Sequence, residues 1–554
     1  MLPSEVYKVL KIYWKSLFVV VYPLVLLPVF LTNNVPAYRC LYVVLLMAGL
    51  WVLEALPLPI TALIPMVLFP LMGVLNSSKT SISYLNETNM MLVGGLIIAI
   101  AVEHCKLHTR IALNVINLVG CSPRRLNVGL CSVTMFISMW ISNTAATAMM
   151  IPIIQATLES LEREGVIDMF EKQDKSEQIT APEEDLEKDE QDKRRPTKIT
   201  MCYFISTAYA ASIGGSGCVI GSGTNLAFKG LYEARFPDSP GVEFDKWMIL
   251  NVPIMLITMI IGVVWFQFYF LGLFRPKSED AKKVEVGPEG RLIAKGVIRD
   301  HIEELGQMSA HEISVGICFV LSILLWFFRK PGFIKGWVEY FTSIKVGDAT
   351  VAILVVMILF LVPSNPNFIY AFSKDEQKRP KTASPALLTW KIVNQKMPWG
   401  LVFLLGGGFA MADGSKESGM SAMIAGWLRE FGSLDRNYVM IIACCTVIVI
   451  TQIFSSNVAC ATIVLPVMAD LSVISKLHPM FLMMPSSLSC SLAFCLPVST
   501  PPNAIAAAPC NMPTWEMMKV GFGMIVIAAG VLFCIYPFYG TLIWDFDTYP
   551  TWAV

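Results

Sequence analysis

Two Ser-Asn pairs sit in the middle of long apolar stretches, where a membrane helix has no need of them. Ser142-Asn143-Thr144-Ala145 and Ser456-Asn457-Val458-Ala459 align at a constant offset of 314 residues, each followed by a proline, Pro152 and Pro466. Gly94-Gly95 and Gly407-Gly408 precede them at an offset of 313. After each pair comes a helix-breaking run, Gly221-Ser222-Gly223-Thr224-Asn225 and Ser499-Thr500-Pro501-Pro502-Asn503. Hydroxyls and carboxamides, joined by the free N–H groups where a helix restarts, suit a carboxylate. Freed carbonyls and Asn side-chain oxygens are the hard ligands a small cation such as sodium requires. None of the four motifs contains Lys or Arg, so a bound anion is balanced by dipoles, hydroxyls and any co-bound cation. Ser, Gly and Asn in membrane helices often serve packing alone. Recurrence at matched positions, each with its own break, sets these apart.

The elements that must position them are membrane helices. Of the 554 residues, 55% are apolar and 15% charged, against about 25% charged in an ordinary soluble chain. Acidic and basic residues number 42 each, which argues against a nucleic-acid partner. Runs able to span a bilayer fall at 16–33, 38–56, 58–76, 90–104, 201–230, 246–274, 311–328, 349–363, 398–412, 474–510 and 516–543, giving eleven crossings. The stretches 126–157 and 438–470, which hold the Ser-Asn pairs, are too long for one ordinary helix and read as hairpins that enter and leave on one side. The loops on the side of the N-terminus hold 26 Lys and Arg and those opposite hold 8. The N-terminus is therefore expected in the cytosol and the C-terminus outside. Five crossings separate the hairpins, an odd number, so the two copies are inverted. An inverted repeat with broken helices is the mark of a secondary transporter whose site lies near the membrane midplane. On this reading 1–89 begins the scaffold, 90–274 is the first repeat, 275–397 links, and 398–554 holds the second repeat.

Other features carry less. The run Leu17–Leu31 follows Lys8, Lys11 and Lys15 but lacks a small-residue cleavage site, so it reads as a retained helix. Segment 159–198, with fourteen acidic and eight basic residues, reads as a mobile cytosolic loop. The fourteen Cys lie mostly in apolar runs, as packing residues rather than a disulfide framework. Gly215, Gly217 and Gly221 lie inside a span, which excludes a nucleotide loop. No zinc-protease, Walker or nucleophile-elbow motif occurs, so no enzyme and no cofactor is expected. Glu54, Glu103, His104, Asp413 and Asp470 lie within or beside spans, where ionisable groups are functional hypotheses by default. Sequons at Asn76 and Asn86 face outside but close to the membrane.

Several segments resemble the divalent-anion:sodium symporter family, the group of sodium-coupled citrate and dicarboxylate transporters. They are Trp51-x-x-Glu54-Ala55-x-Pro57, Ser138-Met139-Trp140-Ile141-Ser142-Asn143-Thr144, Ala211-Ser212-Ile213-Gly214-Gly215, Leu404-Leu405-Gly406-Gly407-Gly408-Phe409-Ala410 and Leu496-Pro497-Val498-Ser499-Thr500-Pro501-Pro502-Asn503-Ala504. Within that family the chain looks most like the insect plasma-membrane carriers. The resemblance implies a homodimer of all-α polytopic protomers, each with a scaffold domain and an elevator-type transport domain. It implies that Ser142, Asn143 and Thr144 with Ser456, Asn457 and Val458 grip the substrate carboxylates, beside Gly408. The breaks Ser222, Gly223, Thr224, Asn225 and Thr500, Pro501, Asn503 would close the site. It implies sodium at Ser138, Ile141, Asn143 and the Gly221 turn, and again at Gln452, Ser455, Asn457 and Ser499.

Two departures alter the expectation. Relatives carry Thr-Glu-x-Thr/Ala where this chain has Gln452-Ile453-Phe454-Ser455, and Gly-Thr-Gly-Pro-Asn where it has Gly221-Ser222-Gly223-Thr224-Asn225. A Gln amide at the second site places a donor where a cation would sit. The expectation is a second site degraded or filled, with cation-independent exchange or proton coupling. Polar Thr144 against apolar Val458 makes the two halves unequal, which a tricarboxylate exploits; citrate and four-carbon dicarboxylates such as succinate are the expected substrates. A sulfate-type carrier of the same family, or an anion channel or receptor on this fold, are the alternatives.

Overall fold

A computed structural model describes residues 3–553, except segments 172–194, 279–280, 282–287, 331–333, 370–379 and 429–434 and positions 121, 166, 345, 368 and 381. Most of the acidic loop lies outside the described residues. Among them the chain is helical throughout, with only two isolated β-bridges.

The amino-terminal part runs through α1 (Pro3–Leu26), α2 (Pro28–Leu31), α3 (Pro36–Leu53), α4 (Leu58–Thr61), α5 (Ile64–Leu71), α6 (Ser77–Tyr84) and α7 (Glu87–His104), then the amphipathic α8 (Leu107–Val119). The 58–76 run is two short helices because Pro65 follows the start of the second. Both sequon asparagines are helix caps: Asn76 accepts from the Lys79 N–H at 2.8 Å and Asn86 from that of Asn89 at 2.9 Å. The first hairpin is α9 (Pro123–Ser138) and α10 (Asn143–Arg163). The next span is split into α11 (Lys198–Gly214) and α12 (Gly223–Arg235) by two 3₁₀ turns, and α13 (Phe244–Phe270) follows. Then come α14 (Pro288–Glu304), α15 (Ala310–Phe327), α16 (Asp348–Leu361), α17 (Trp390–Lys396), α18 (Trp399–Ser418) and α19 (Met420–Leu428). The second hairpin is α20 (Arg436–Thr451) and α21 (Asn457–Ile474), the second split span α22 (Pro479–Cys490) and α23 (Pro501–Ala507), and α24 (Thr514–Thr541) closes the bundle.

Among the described residues, seven helical stretches are long and apolar enough to cross a membrane: Lys11–Leu31, Pro36–Leu53, Ser77–His104, Phe244–Phe270, Ala310–Phe327, Asn457–Ile474 and Thr514–Thr541. The remaining expected spans fall on shorter or broken helices. Two sets of helices pack among themselves. α9 to α13 and α20 to α24 make one, with α11 against α9, α22 against α20 and α21, and α13 against α24; α3, α5 to α7, α15, α16 and α18 make the other. They meet where α12 and α21 lie against α18.

One ion cluster bridges the two sets. Lys229 on α12 is 3.1 Å from Asp348 on α16, and their side chains are 6% and 2% exposed. Each partner also has a counterion of its own: Lys229 is 2.9 Å from Glu233 one turn along α12, and Arg329 is 2.8 Å from Asp348.

Candidate functional site

Four helices begin at one place. Ser142 caps α10, its Oγ accepting from the Ala145 N–H at 3.3 Å, and Ser456 caps α21 by the same bond from Ala459. Ser222 caps α12 through the Thr224 N–H, and Thr500 precedes the Pro501-Pro502 start of α23. A half-open cavity of about 350 Å³ is walled by Ser142, Asn143, Thr144, Ser222, Gly223, Ser455, Ser456, Asn457, Val458, Thr500, Pro501 and Pro502. The two tips and two breaks that the sequence places far apart therefore form one wall, and helix N-termini present positive partial charge to it. Gly223 is required by close approach, since a Cβ there would stand 2.7 Å from Val458 Cγ2.

The repeat extends to the hydrogen bonds that hold the breaks open. Asn225 Nδ2 donates to Gly215 O at 2.7 Å and Cys218 O at 2.8 Å; Asn503 Nδ2 donates to Ala493 O at 2.8 Å and Leu496 O at 3.0 Å. All three positions are related by an offset of 278 residues. These carboxamides do for the unwound backbone what a helix would otherwise do, and buried main-chain groups inside a membrane must be satisfied in this way. Asn225 and Asn503 are thus braces behind the cavity wall. Thr224 is also behind it, its hydroxyl 2.9 Å from that of Ser491. Gly408 is absent from the wall: it lets α18 approach Thr462 on α21, where a Cβ would stand 2.6 Å from the Thr462 Cβ.

Oxygen atoms collect beneath the first tip. The Asn143 carboxamide lies 3.0 Å from Ser138 Oγ, 3.2 Å from Ala211 O and 3.3 Å from Gly221 O. With its nitrogen on that side it donates to both carbonyls. With its oxygen there it joins a ring of oxygens short of hydrogens, the arrangement that a bound cation satisfies. Ser138 O, Met139 O and Gly215 O surround the space a Gly221 Cβ would take, at 3.0, 2.7 and 2.7 Å. These residues fit a small hard cation. Ile141 is buried in the same tip. In the second tip Asn457 Oδ1 and Ser455 Oγ are buried without a hydrogen-bond partner. Ser499 Oγ is 2.7 Å from Leu496 O and 3.2 Å from Ala493 O. Among the described residues no cluster of His, Cys, Asp or Glu could hold a metal ion.

Gln452 lies where Ser138 does in the first repeat, and its side chain ties the second tip to its break. Nε2 donates to Leu492 O at 2.8 Å and Ile448 O at 3.0 Å, while Oε1 accepts from the Cys495 N–H at 3.2 Å. Its donors are therefore committed to main-chain carbonyls.

The rest of the wall escaped sequence reasoning as site residues: Glu54, Leu58, Pro59, Pro398, Gly400, Leu401 and Leu404 come from the ends of α3 and α4 and the start of α18. Their signals were the Trp51-x-x-Glu54-Ala55-x-Pro57 and Leu404-Leu405-Gly406 segments and, for Glu54, an ionisable group beside a span. The other acidic residues noted in or near spans are engaged elsewhere. Glu103 pairs with Lys396 at 2.7 Å, Asp413 accepts from Ser83 at 2.6 Å, and Asp470 lies 3.5 Å from Arg235. The His104 ring packs edge-on against that of His311.

A family model described as the sodium:sulfate symporter transmembrane region matches residues 9–545. "Protein I'm not dead yet" of Drosophila melanogaster is 45% identical over 98% of this chain and 91% of its own length. The Na(+)/citrate cotransporter of Rattus norvegicus is 37% identical over 96% of this chain and 95% of its own. Na(+)/dicarboxylate cotransporter 3 of Homo sapiens is 38% identical over 96% and 92%. With the family match spanning nearly the whole chain and relatives that are transporters, this protein belongs to the divalent-anion:sodium symporter family and is a membrane transporter, not an enzyme.

Proposed function

We propose that the protein is a secondary carrier of citrate and four-carbon dicarboxylates across the plasma membrane. The observation that carries this is the convergence of four helix N-termini on a cavity whose polar wall has hydroxyls and carboxamides but, among the described residues, no Lys or Arg. Dipoles of fixed direction hold a carboxylate without the strong ion pairs that would slow its release. A cavity of about 350 Å³ suits a six-carbon acid better than a small oxyanion, so citrate leads over sulfate. The names of the relatives agree with this.

In the proposed cycle the eleven crossings leave both termini on opposite faces, with the N-terminus in the cytosol. The hairpin-and-break helices move as a body against the scaffold, within a homodimer, alternately exposing the cavity. The double neutralisation of Lys229 and Asp348 supports such movement, because neither body is left with an unpaired buried charge when the two separate.

The oxygens around Asn143 would hold a sodium ion, which when bound supplies positive charge beneath the first tip. The chain's own part there is to orient the Asn143 carboxamide through Ser138. At the second tip Gln452 makes by hydrogen bonds the link between tip and break that an ion would make, which supports weak sodium dependence and exchange that proceeds without it. Uptake of labelled citrate and succinate into proteoliposomes, with sodium, choline or a proton gradient outside, tests both points. Saturable uptake with counterflow supports the carrier and refutes a channel. An absolute sodium requirement refutes weak dependence. Uptake of sulfate alone refutes the substrate class.

A further inference from the structure

Among the described residues, Glu54 is the one ionisable residue in the wall of the cavity. Glu54 is exposed to solvent at the edge of the cavity, and a carboxylate beside a site for carboxylates repels what the site is built to hold. It is also held there at a conformational cost: Glu54 ends α3 in the left-handed region, φ 44 and ψ 40, which a residue with a Cβ adopts rarely and which Gly, Asn and Asp tolerate better. Its backbone is pinned on both sides. Lys15 Nζ donates to Glu54 O at 3.0 Å, and Trp51 Nε1 donates to Leu58 O at 3.1 Å across the turn. Lys15 thus bonds the main chain, and among the described residues no cation pairs with the Glu54 carboxylate. Glu103, Asp413 and Asp470 all have partners.

We infer that Glu54 sets the charge selectivity of the cavity from its own side. The inference rests on the carrier reading and on the charge bias, which makes the end bearing Lys15 and Glu54 cytosolic. A fixed negative charge at that mouth weakens cytosolic binding in proportion to substrate charge. It therefore penalises the citrate trianion more than the succinate dianion and favours release into the cell. From the outside, with the cavity carried away from α3 in the proposed cycle, its effect is weaker.

The test is transport in oocytes, with labelled acid either injected for efflux or supplied outside for uptake, at a constant pH where citrate is a trianion. Glu54→Gln and Glu54→Asn remove the charge, and Asn also relaxes the backbone; Glu54→Asp keeps the charge. Both neutral variants are expected to lower the internal concentration for half-maximal efflux, by at most about tenfold for citrate and about fivefold for succinate, the limit for one charge near the path before screening by salt. External half-saturation shifts less than the internal value, and Glu54→Asp shifts less than the two neutral variants. The inference is overturned by equal shifts for the two acids, by equal shifts on the two sides, by no shift at all, or by Glu54→Asp matching Glu54→Gln. Wild-type protein that moves neither acid overturns the carrier reading itself, and this inference with it.

Discussion

Replacing Asp348 by Asn is expected to shift the protein away from the arrangement described here without unfolding it. Lys229 has three acceptors, Glu233 at 2.9 Å, Asp348 at 3.1 Å and Val242 O at 2.7 Å. Losing the second leaves it a counterion and a carbonyl on or near its own helix. At 3.1 Å and an effective dielectric of 20 the attraction between Lys229 and Asp348 is about 5 kcal/mol. Desolvation offsets part of it, leaving a net coupling of about 2–3 kcal/mol. If α12 leaves α16 during transport, that energy favours only the joined state. Its loss should raise the separated population about 30- to 150-fold. The assay is labelling of a cysteine placed at Leu401, on the cavity wall, by an impermeant thiol reagent from the cytosolic face. Most native cysteines are buried, and Cys445 and Cys534 are the exposed ones among those described, so a background with both replaced by Ser serves. Asp348→Asn should slow labelling, and Lys229→Met with Asp348→Asn should add little to either alone. Unchanged labelling beside a lowered melting temperature would refute the reasoning and make the cluster a static brace.

Asn225→Ala or Asn503→Ala deprives two buried carbonyls of their donor, and at about 1–3 kcal/mol for each such group should lower the melting temperature in detergent markedly; the two variants should be equally damaging, as the repeat demands. Gly223→Ala should abolish uptake by contact with Val458, which stands 2.7 Å from the added Cβ, and Val458→Ala should restore part of it. Gln452→Thr removes the link from the second tip to Leu492 and Cys495, so sodium should then stimulate uptake more strongly than in wild type, measured as the ratio of uptake in sodium to uptake in choline. An unaltered ratio would count against Gln452 standing in for an ion.

The motifs that make the wall were legible in the sequence because a polar group inside an apolar span has few innocent explanations. Ser142, Asn143, Ser456 and Asn457 announced themselves by type, and their constant offset by repetition, before any coordinates. The helix starts at Ser222 and Thr500 followed from Gly and Pro chemistry, which is local. What each residue does behind or in front of the wall was not legible. Asn225 and Asn503, expected at the substrate site, lie outside the cavity wall with their nitrogens bonded to main-chain carbonyls, and only the folded backbone reveals which carbonyls an unwound turn leaves unpaired. Gly408 read as a site residue and is a helix contact, since close packing and close approach to a ligand demand the same absent side chain.

Gln452 shows the same division. Its type at an expected cation site suggested an intruding donor, while the tertiary structure turns that donor to Leu492 O and Ile448 O, forty and four residues away in sequence. Pairing across such separations is set by how the second hairpin packs against α22. Composition and spacing by themselves determined a membrane-embedded repeat with polar, uncharged tips, because burial in lipid constrains each residue locally. Tertiary structure alone decided that Glu54 lines the cavity while Glu103, Asp413 and Asp470 are paired elsewhere. A charge is disposed of by whatever partner comes near it in space, and that partner is not written beside it in the chain.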